Sequence, residues 1–126
     1  GLGDVYKRQT LSQIPDIRKK IIYLYADVQK AKVLQRKVLS VAIQDEVPQT
    51  EAAVFKLFST KLHQKLANEA MDILGREGLF RKEYDKSHAN GKWEWSYRST
   101  LVDTIGAGTT EIQKNTIAKK SLKLPL

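Results

Sequence analysis

Residues 104–115 combine two closely spaced glycines with the start of a helix, an arrangement that can bind an anion or a carbonyl oxygen. Gly106 and Gly108 allow the backbone to approach a ligand closely and to adopt positive φ angles at little cost. Thr110 and Gln113 stand three residues apart, as in a capping box, and this spacing predicts a helix that begins at Thr110. The free N–H groups and partial positive charge of such a helix start favour a ligand with negative charge. The alternative is a turn that only connects two helices.

Two long helices are predicted upstream of this turn. The first extends from about Pro15 to Ile43, with Pro15 in the first turn, where a missing N–H costs nothing. Residues 45–48 end it, and Thr50 is predicted to cap a second, antiparallel helix that extends to about Leu74. The apolar residues of both segments recur every three or four positions. They are Ile17, Ile21, Leu24, Val28, Ala31, Leu34, Val38 and Val41 in the first segment, and Val54, Leu57, Phe58, Leu62, Leu66, Ala70 and Ile73 in the second.

The remaining sequence predicts two shorter helices separated by a polar loop. Gly75 is interpreted as the C-cap of the second helix, and residues 81–92 are rich in turn-forming types and predict a surface loop. The third helix is expected from Trp93 to about Asp103, with Trp93, Tyr97 and Leu101 facing the core, and the fourth from Thr110 to about Ser121. No segment has the period of a strand. The predicted fold class is therefore all-α, an up-and-down helical bundle.

The composition is that of a single globular domain. The 126 residues are 41% hydrophobic and 29% charged, which supports one modest core. No apolar run approaches the roughly 20 residues that span a membrane, so neither a membrane span nor a signal peptide is predicted. The absence of cysteine excludes disulfides and fits a cytoplasmic location. His63 and His88 lie far apart in the sequence, and no metal site is predicted.

The formal net charge of +8 has three interpretations. Nucleic-acid binding is not favoured, because the basic residues are scattered among acids along the helix faces instead of forming one block. A positive field also suits polyphosphate ligands. A solvated, lysine-rich surface is the simplest interpretation. A free-standing basic helical module that docks a partner remains an alternative function.

The order of residues in the turn resembles one protein family. The stretch from Ile105 to Ala118 is similar to the last loop and last helix of acyl-CoA dehydrogenases; it reads Ile-Gly-Ala-Gly-Thr-Thr-Glu-Ile-Gln-Lys-Asn-Thr-Ile-Ala. Residues 24–28 and 56–64 resemble the two long helices before that loop in divergent bacterial members. Residues 95–99 fall where the family has an Arg-Asp pair. The resemblance covers residues 11–126.

The resemblance implies a flavin enzyme that oxidises acyl-CoA thioesters with FAD and passes electrons to an electron-transfer flavoprotein. Members of the family are commonly homo-oligomers, either dimers or tetramers, and some are heteromeric dehydrogenases. Their C-terminal domain is a four-helix bundle, which this chain would hold without its first helix. The implied compartment is the bacterial cytoplasm, with the mitochondrial matrix as the alternative.

Several site residues follow from the resemblance alone. Thr109, Thr110 and Glu111 match a tripeptide that contacts FAD, although helix capping and first-turn charge are alternative roles for Thr110 and Glu111. Ala107 and Gly108 match positions that lie against the acyl-CoA thioester. Backbone N–H groups of the turn can hold the thioester oxygen there as enolate charge develops.

Two positions depart from the family pattern. Gly75 falls in a region that meets FAD from a neighbouring subunit, but the glutamine and the second glycine of that region are absent, so a helix C-cap is the alternative. Ala107 stands where many members have the glutamate that removes the α-proton, and alanine cannot accept a proton. The base is expected from an earlier helix, or the chain is a non-catalytic subunit of a heteromeric dehydrogenase. No catalytic residue is named.

Four further side chains receive structural interpretations. Arg98 is expected in an ion pair instead of on a phosphate, Trp93 and Trp95 as core anchors, and His63 as a packed histidine instead of a catalytic one.

Residues 1–9 match neither a helical period nor the family pattern, and we interpret them as a non-native scar or as disordered, with the domain occupying residues 10–126. On this interpretation the chain is a fragment, which by itself should be inactive and bind FAD weakly.

Overall fold

The protein is all-α over residues 10–84 and 88–125, which are the residues that the structure, a computed structural model, describes. The prediction for residues 1–9 lies outside them. The described part holds no strand and contains four α-helices, as the sequence predicts. The helices are α1 (Pro15–Ala42), α2 (Gln49–Leu74), α3 (Lys92–Asp103) and α4 (Thr110–Lys120). Short 3₁₀ turns at Leu11–Gln13 and Gly75–Leu79 lie before α1 and after α2, and the segment His88–Gly91 before α3 is kinked, with positive φ angles at Ala89 and Asn90.

The boundaries of the two long helices follow from local chemistry. Pro15 occupies the first helical position of α1, as predicted, because its fixed φ angle suits a helix start. The prediction that Thr50 caps α2 is wrong. The helix begins at Gln49, directly after Pro48, and no side chain caps it. Gly75 ends α2 at φ +56°, and its N–H donates to the carbonyl of Met71. Glycine tolerates this angle because it has no Cβ.

Helices α1 and α2 run antiparallel and are joined by ion pairs. The Lys20 ammonium lies 2.7 Å from the Glu69 carboxylate, and Lys65 lies 2.9 Å from Asp27. Asp27 follows Lys20 in α1, whereas its partner Lys65 precedes Glu69 in α2. The two helices therefore run in opposite directions, which confirms the predicted antiparallel packing. Hydrogen bonds from Lys65 and Lys30 lower the pKa of Asp27.

Helix α2 is the centre of the bundle, because α1, α3 and α4 all pack against it. Three of its four buried residues, Ala53, Thr60 and Ala67, stand seven residues apart, and these small side chains allow neighbouring helices to approach closely. Leu62 of α2 and Leu24 of α1 are also buried. The apolar period predicts that these helices have an inward face but not that small residues line its most buried part.

The inward face of α3 differs from the prediction. Trp93 is half-buried, but Tyr97 and Leu101 are 49% and 62% exposed, and the buried residues are Glu94 and Thr100. The reason is that α3 packs on α2 through a neighbouring face whose Thr100 side chain is small, which leaves the larger apolar side chains on the open side. This part of the prediction is wrong.

Helix α1 and its C-cap carry several exposed apolar side chains with charged residues between them. They are Ile21, Ile22, Tyr25, Val33, Leu39 and Ile43. None of the helices in the described ranges is both long and apolar enough to cross a membrane.

Candidate functional site

The turn between α3 and α4 has an unusual backbone. Ala107 adopts φ +56° and Gly108 adopts φ +96°. A left-handed conformation costs a residue with a Cβ about 1–2 kcal/mol, so the surrounding contacts must compensate for this strain at Ala107. Positive φ angles at residues with a Cβ also occur at Asp45, Ala89, Asn90 and Lys123, so the role of this turn in binding stays a prediction.

Thr109, and not Thr110, is the N-cap of α4. Its backbone is extended, with φ −64° and ψ 166°, and its Oγ1 accepts a hydrogen bond of 3.4 Å from the N–H of Ile112. Thr110 is already the first helical residue, so the predicted capping pair of Thr110 and Gln113 is wrong by one position. A cap requires an extended backbone, and the extended residue is Thr109.

Gln113 reaches back over the turn. Its side-chain amide donates a hydrogen bond of 3.0 Å to the carbonyl oxygen of Ala107. In a capping box this side chain accepts from a backbone N–H, so its observed role is the opposite. This hydrogen bond therefore fixes the backbone at Ala107 to the start of α4.

Lys56 holds the same turn from the other side. Its ammonium donates to the carbonyl oxygen of Asp103 at 2.8 Å and also to that of Gly106. It thereby neutralises the negative end of α3, whose last carbonyls have no partner within the helix. Sequence reasoning missed this role. The available signal was a lysine on the same face of α2 as the small residues Ala53 and Thr60.

Four consecutive N–H groups at this turn have no hydrogen-bond acceptor among the residues that the structure describes. They belong to Ala107, Gly108, Thr109 and Thr110. The carboxylate of Glu111 accepts hydrogen bonds from its own N–H and from the Thr109 hydroxyl, which lower its pKa. The four N–H groups before Glu111 are therefore available to bind an oxygen atom.

His63 lies beside the turn but is not packed as predicted. Its side chain is 68% exposed, and Nδ1 lies 3.1 Å from the carboxylate of Asp103. Both residues line an open groove of about 380 Å³ on α2, together with Lys56, Thr60 and Leu66. Within the described ranges, no three His, Asp or Glu side chains are grouped so as to hold a metal ion.

Gly75 lies at the opposite end of α2 from the turn. Lys56 contacts the turn, and the 18 helical steps from Lys56 to Leu74 extend about 27 Å at the usual helical rise. Gly75 borders a separate open groove of about 640 Å³, and no atom lies within 4 Å of the position where its Cβ would be. The bundle therefore does not bring Gly75 together with the other predicted site residues.

Arg98 forms the ion pair that the sequence predicts. Its guanidinium donates to both oxygens of Glu94, at 2.7 and 3.0 Å, and these bonds lower the pKa of that carboxyl. Arg81 lies 3.5 Å from the same carboxylate. Trp93 is half-buried, as a core anchor should be, whereas Trp95 is 63% exposed, so the prediction of a core anchor is wrong for Trp95.

Comparison with known sequences confirms the predicted family. Residues 4–122 match the family model of the acyl-CoA dehydrogenase C-terminal domain. The chain is 29% identical over 126 residues to acyl-CoA dehydrogenase IpdE1 of Mycolicibacterium smegmatis, across 98% of this chain and 29% of that protein. It is 38% identical over 74 residues to acyl-CoA dehydrogenase IpdE1 of Mycobacterium tuberculosis, across 57% of this chain and 18% of that protein.

Solved structures show the same helical arrangement. The Tcur3481-Tcur3483 steroid ACAD matches with a TM-score of 0.86 at 25% identity, covering 91% of this chain and 30% of that one. The ChsE4-ChsE5 complex from Mycobacterium tuberculosis matches with a TM-score of 0.83 at 23% identity, covering 92% and 30%. The chain thus spans about three tenths of the length of these structures.

Proposed function

The chain belongs to the acyl-CoA dehydrogenase family, and from this premise we propose that it is the C-terminal helical part of a flavin-dependent enzyme. The proposed reaction is the α,β-dehydrogenation of an acyl-CoA thioester. The observation that carries the proposal is the turn at Ala107 and Gly108, where both residues have positive φ angles and their N–H groups have no acceptor among the described residues. The chain by itself is proposed to be inactive, because it spans only about three tenths of its relatives.

The N–H groups of Ala107 and Gly108 are proposed to bind the thioester carbonyl oxygen. Loss of the α-proton places negative charge on this oxygen, and fixed backbone donors stabilise that charge without reorganising. Gly108 has no side chain that could obstruct the thioester. The formal net charge of +8 favours a ligand that carries the phosphates of CoA.

The residues at the start of α4 fit a flavin cofactor. Thr109, Thr110 and Glu111 offer backbone N–H groups, hydroxyls and a carboxylate, which match the mixed donors and acceptors of an isoalloxazine ring and a ribityl chain. A diphosphate is less suitable here, because the Glu111 carboxylate already lies at the helix terminus. FAD would supply a hydride acceptor. Gly75 is too far along α2 to share this cofactor, so we propose that it contacts the FAD of a neighbouring subunit.

The general base is proposed to lie outside these residues. The side chain of Ala107 is a methyl group and cannot take the α-proton, so the carboxylate must come from another part of the enzyme. A second candidate function follows from the same observation: the chain is part of a non-catalytic subunit in a heteromeric dehydrogenase. The ChsE4-ChsE5 neighbour is a complex of two named components, which supports this candidate.

The proposed partners are the acyl-CoA substrate, an electron-transfer flavoprotein, and further subunits of the same or a related kind. The exposed apolar side chains of α1 support an oligomer, because association would bury them. The relatives named above come from bacteria, and the bacterial cytoplasm is the proposed compartment.

The test is to purify the intact enzyme that contains this chain and to record its flavin absorbance before and after acyl-CoA is added without an electron acceptor. We expect bound FAD and bleaching of the absorbance by acyl-CoA but not by free CoA. Co-expression with the partner subunit separates the two candidates: bleaching that needs the partner indicates a non-catalytic or incomplete subunit. An intact enzyme that carries no flavin in either form contradicts the proposal.

A further inference from the structure

The carbonyl oxygens of Gly106 and Ala107 each accept a hydrogen bond from a side chain outside the turn. Lys56 of α2 donates to the oxygen of Gly106, and Gln113 of α4 donates to the oxygen of Ala107. These two peptide groups are consecutive. They are also the groups whose N–H atoms belong to Ala107 and Gly108.

The geometry of a peptide group links the two sides of the turn. A trans peptide is planar, with its C=O and N–H pointing in opposite directions, and the described chain contains no cis peptide bond. Holding the Gly106 oxygen therefore directs the Ala107 N–H away from α2. The hydrogen bond from Gln113 to the Ala107 oxygen likewise directs the Gly108 N–H away from Gln113. Donation to each oxygen also polarises its peptide group and strengthens the N–H as a donor.

We propose that Lys56 is a positioning residue for this turn, with Gln113 as its neutral counterpart. The inference rests on the proposed function, and it adds the residue that orients and polarises the Ala107 N–H towards the thioester oxygen. Lys56 does not touch the substrate. It acts through the Gly106–Ala107 peptide group.

The surroundings of Lys56 favour this role over that of a surface lysine. The side chain is half-buried, and the hydrogen bonds found for its ammonium go to two backbone carbonyls. The nearby Asp103 carboxylate is directed to His63 instead. The ammonium therefore lies directly against the carbonyl oxygens that it contacts, one of which belongs to the Gly106–Ala107 peptide group. Its positive charge stabilises negative charge that develops on the far side of the peptide group.

Lys56→Met in the intact enzyme, with its partner subunit if one is needed, tests the proposal because methionine keeps the volume but cannot donate. Lys61→Met is the matched control, since Lys61 is exposed on the same helix. We expect Lys56→Met to lower kcat by about tenfold to a hundredfold, less than the loss of a direct oxyanion donor. Binding of the enoyl-CoA product should weaken, because it has a thioester carbonyl. Binding of free CoA, which lacks one, should not change. Lys56→Arg should recover part of the activity.

The outcomes distinguish this inference from the function on which it rests. If wild-type enzyme is bleached by acyl-CoA but Lys56→Met matches Lys61→Met in kcat and in enoyl-CoA affinity, the inference is overturned and the function stands. Equal weakening of enoyl-CoA and CoA overturns it as well, because that pattern indicates general loss of structure. If Lys56→Met does not fold, Lys56→Gln, with a shorter neutral donor, is measured with the same ligand pair. Wild-type enzyme without bleaching rejects both proposals.

Discussion

The side-chain amide of Gln113 donates a hydrogen bond of 3.0 Å to the carbonyl oxygen of Ala107, so the first turn of α4 fastens the strained turn before it. The same amide nitrogen lies 2.7 Å from the position that a Cβ on Gly108 would occupy. This hydrogen bond therefore requires that residue 108 has no side chain.

Gly108→Ala in the intact enzyme should lower flavin content and turnover. The added methyl group displaces the Gln113 amide, and the φ angle of +96° is strained for any residue with a Cβ. Gly106→Ala is the control, because its Cβ would lie 3.5 Å from the Val102 carbonyl, an ordinary contact. Flavin absorbance per subunit and acyl-CoA-dependent bleaching measure both variants. Equal bleaching in the two variants would show that the turn has only a structural role.

Thr109→Ala should destabilise the chain more than Thr110→Ala does. Thr109 caps α4 and also donates to Glu111, whereas Thr110 lies inside the helix. The loss of an N-cap costs about 1 kcal/mol. Urea unfolding followed by circular dichroism measures the difference. A larger loss in Thr110→Ala would show that the cap lies at Thr110, as the sequence alone predicts.

Acid should destabilise the folded chain partly through Glu94. Hydrogen bonds from Arg98 lower the folded-state pKa of Glu94 below its ordinary value of 4.5. The carboxylate therefore contributes stability above about pH 4.5, and that stability is lost as the pH falls through the folded-state pKa. Glu94→Gln should lower the unfolding free energy at pH 7 and reduce its decrease between pH 5 and pH 3, roughly the range in which carboxylates titrate.

Glu46→Gln is the control for this pH dependence, since Glu46 is exposed in the loop before α2. It should leave the unfolding free energy and its acid slope close to those of the wild type. If the unfolding free energy of Glu94→Gln falls with decreasing pH as steeply as that of the wild type, other carboxylates cause the loss of stability in acid.

Gly91→Ala should destabilise the fold more than Gly75→Ala. Both glycines have positive φ angles, +68° at Gly91 and +56° at Gly75, and residues with a Cβ rarely adopt either backbone conformation, so each alanine has a backbone cost. At Gly91 the added Cβ would also lie 2.5 Å from the backbone nitrogen of Lys82, whereas at Gly75 it meets open space. Thermal unfolding of the two variants isolates this clash. Similar melting temperatures would show that the loop at Lys82 moves away without cost.

Gly75→Ala also bears on the proposed contact with FAD. In the intact enzyme, a loss of flavin without a comparable loss of stability would support a contact from the neighbouring subunit. Unchanged flavin content would leave Gly75 as a helix C-cap only.

The sequence by itself determined the helices and the turn. Apolar periods of three and four residues, with Pro15 at one end and Gly75 at another, specify where a helix forms and stops, because these signals act within a few residues. The glycines and threonines of residues 106–110 identified the turn for the same reason. The family resemblance supplied the chemistry that is proposed for this turn.

The tertiary structure alone decided which face of each helix is buried and which side chains hold the turn. Tyr97 and Leu101 lie outside because α3 packs on α2 through its smaller residues, and such packing depends on a partner far away in the sequence. Lys56 reaches Gly106 across 50 positions, and no local pattern encodes that contact. Gly75 and the turn are separated because α2 is one straight element between them. Local signals specify secondary structure, whereas the position of a charge beside a carbonyl is set by how the helices pack.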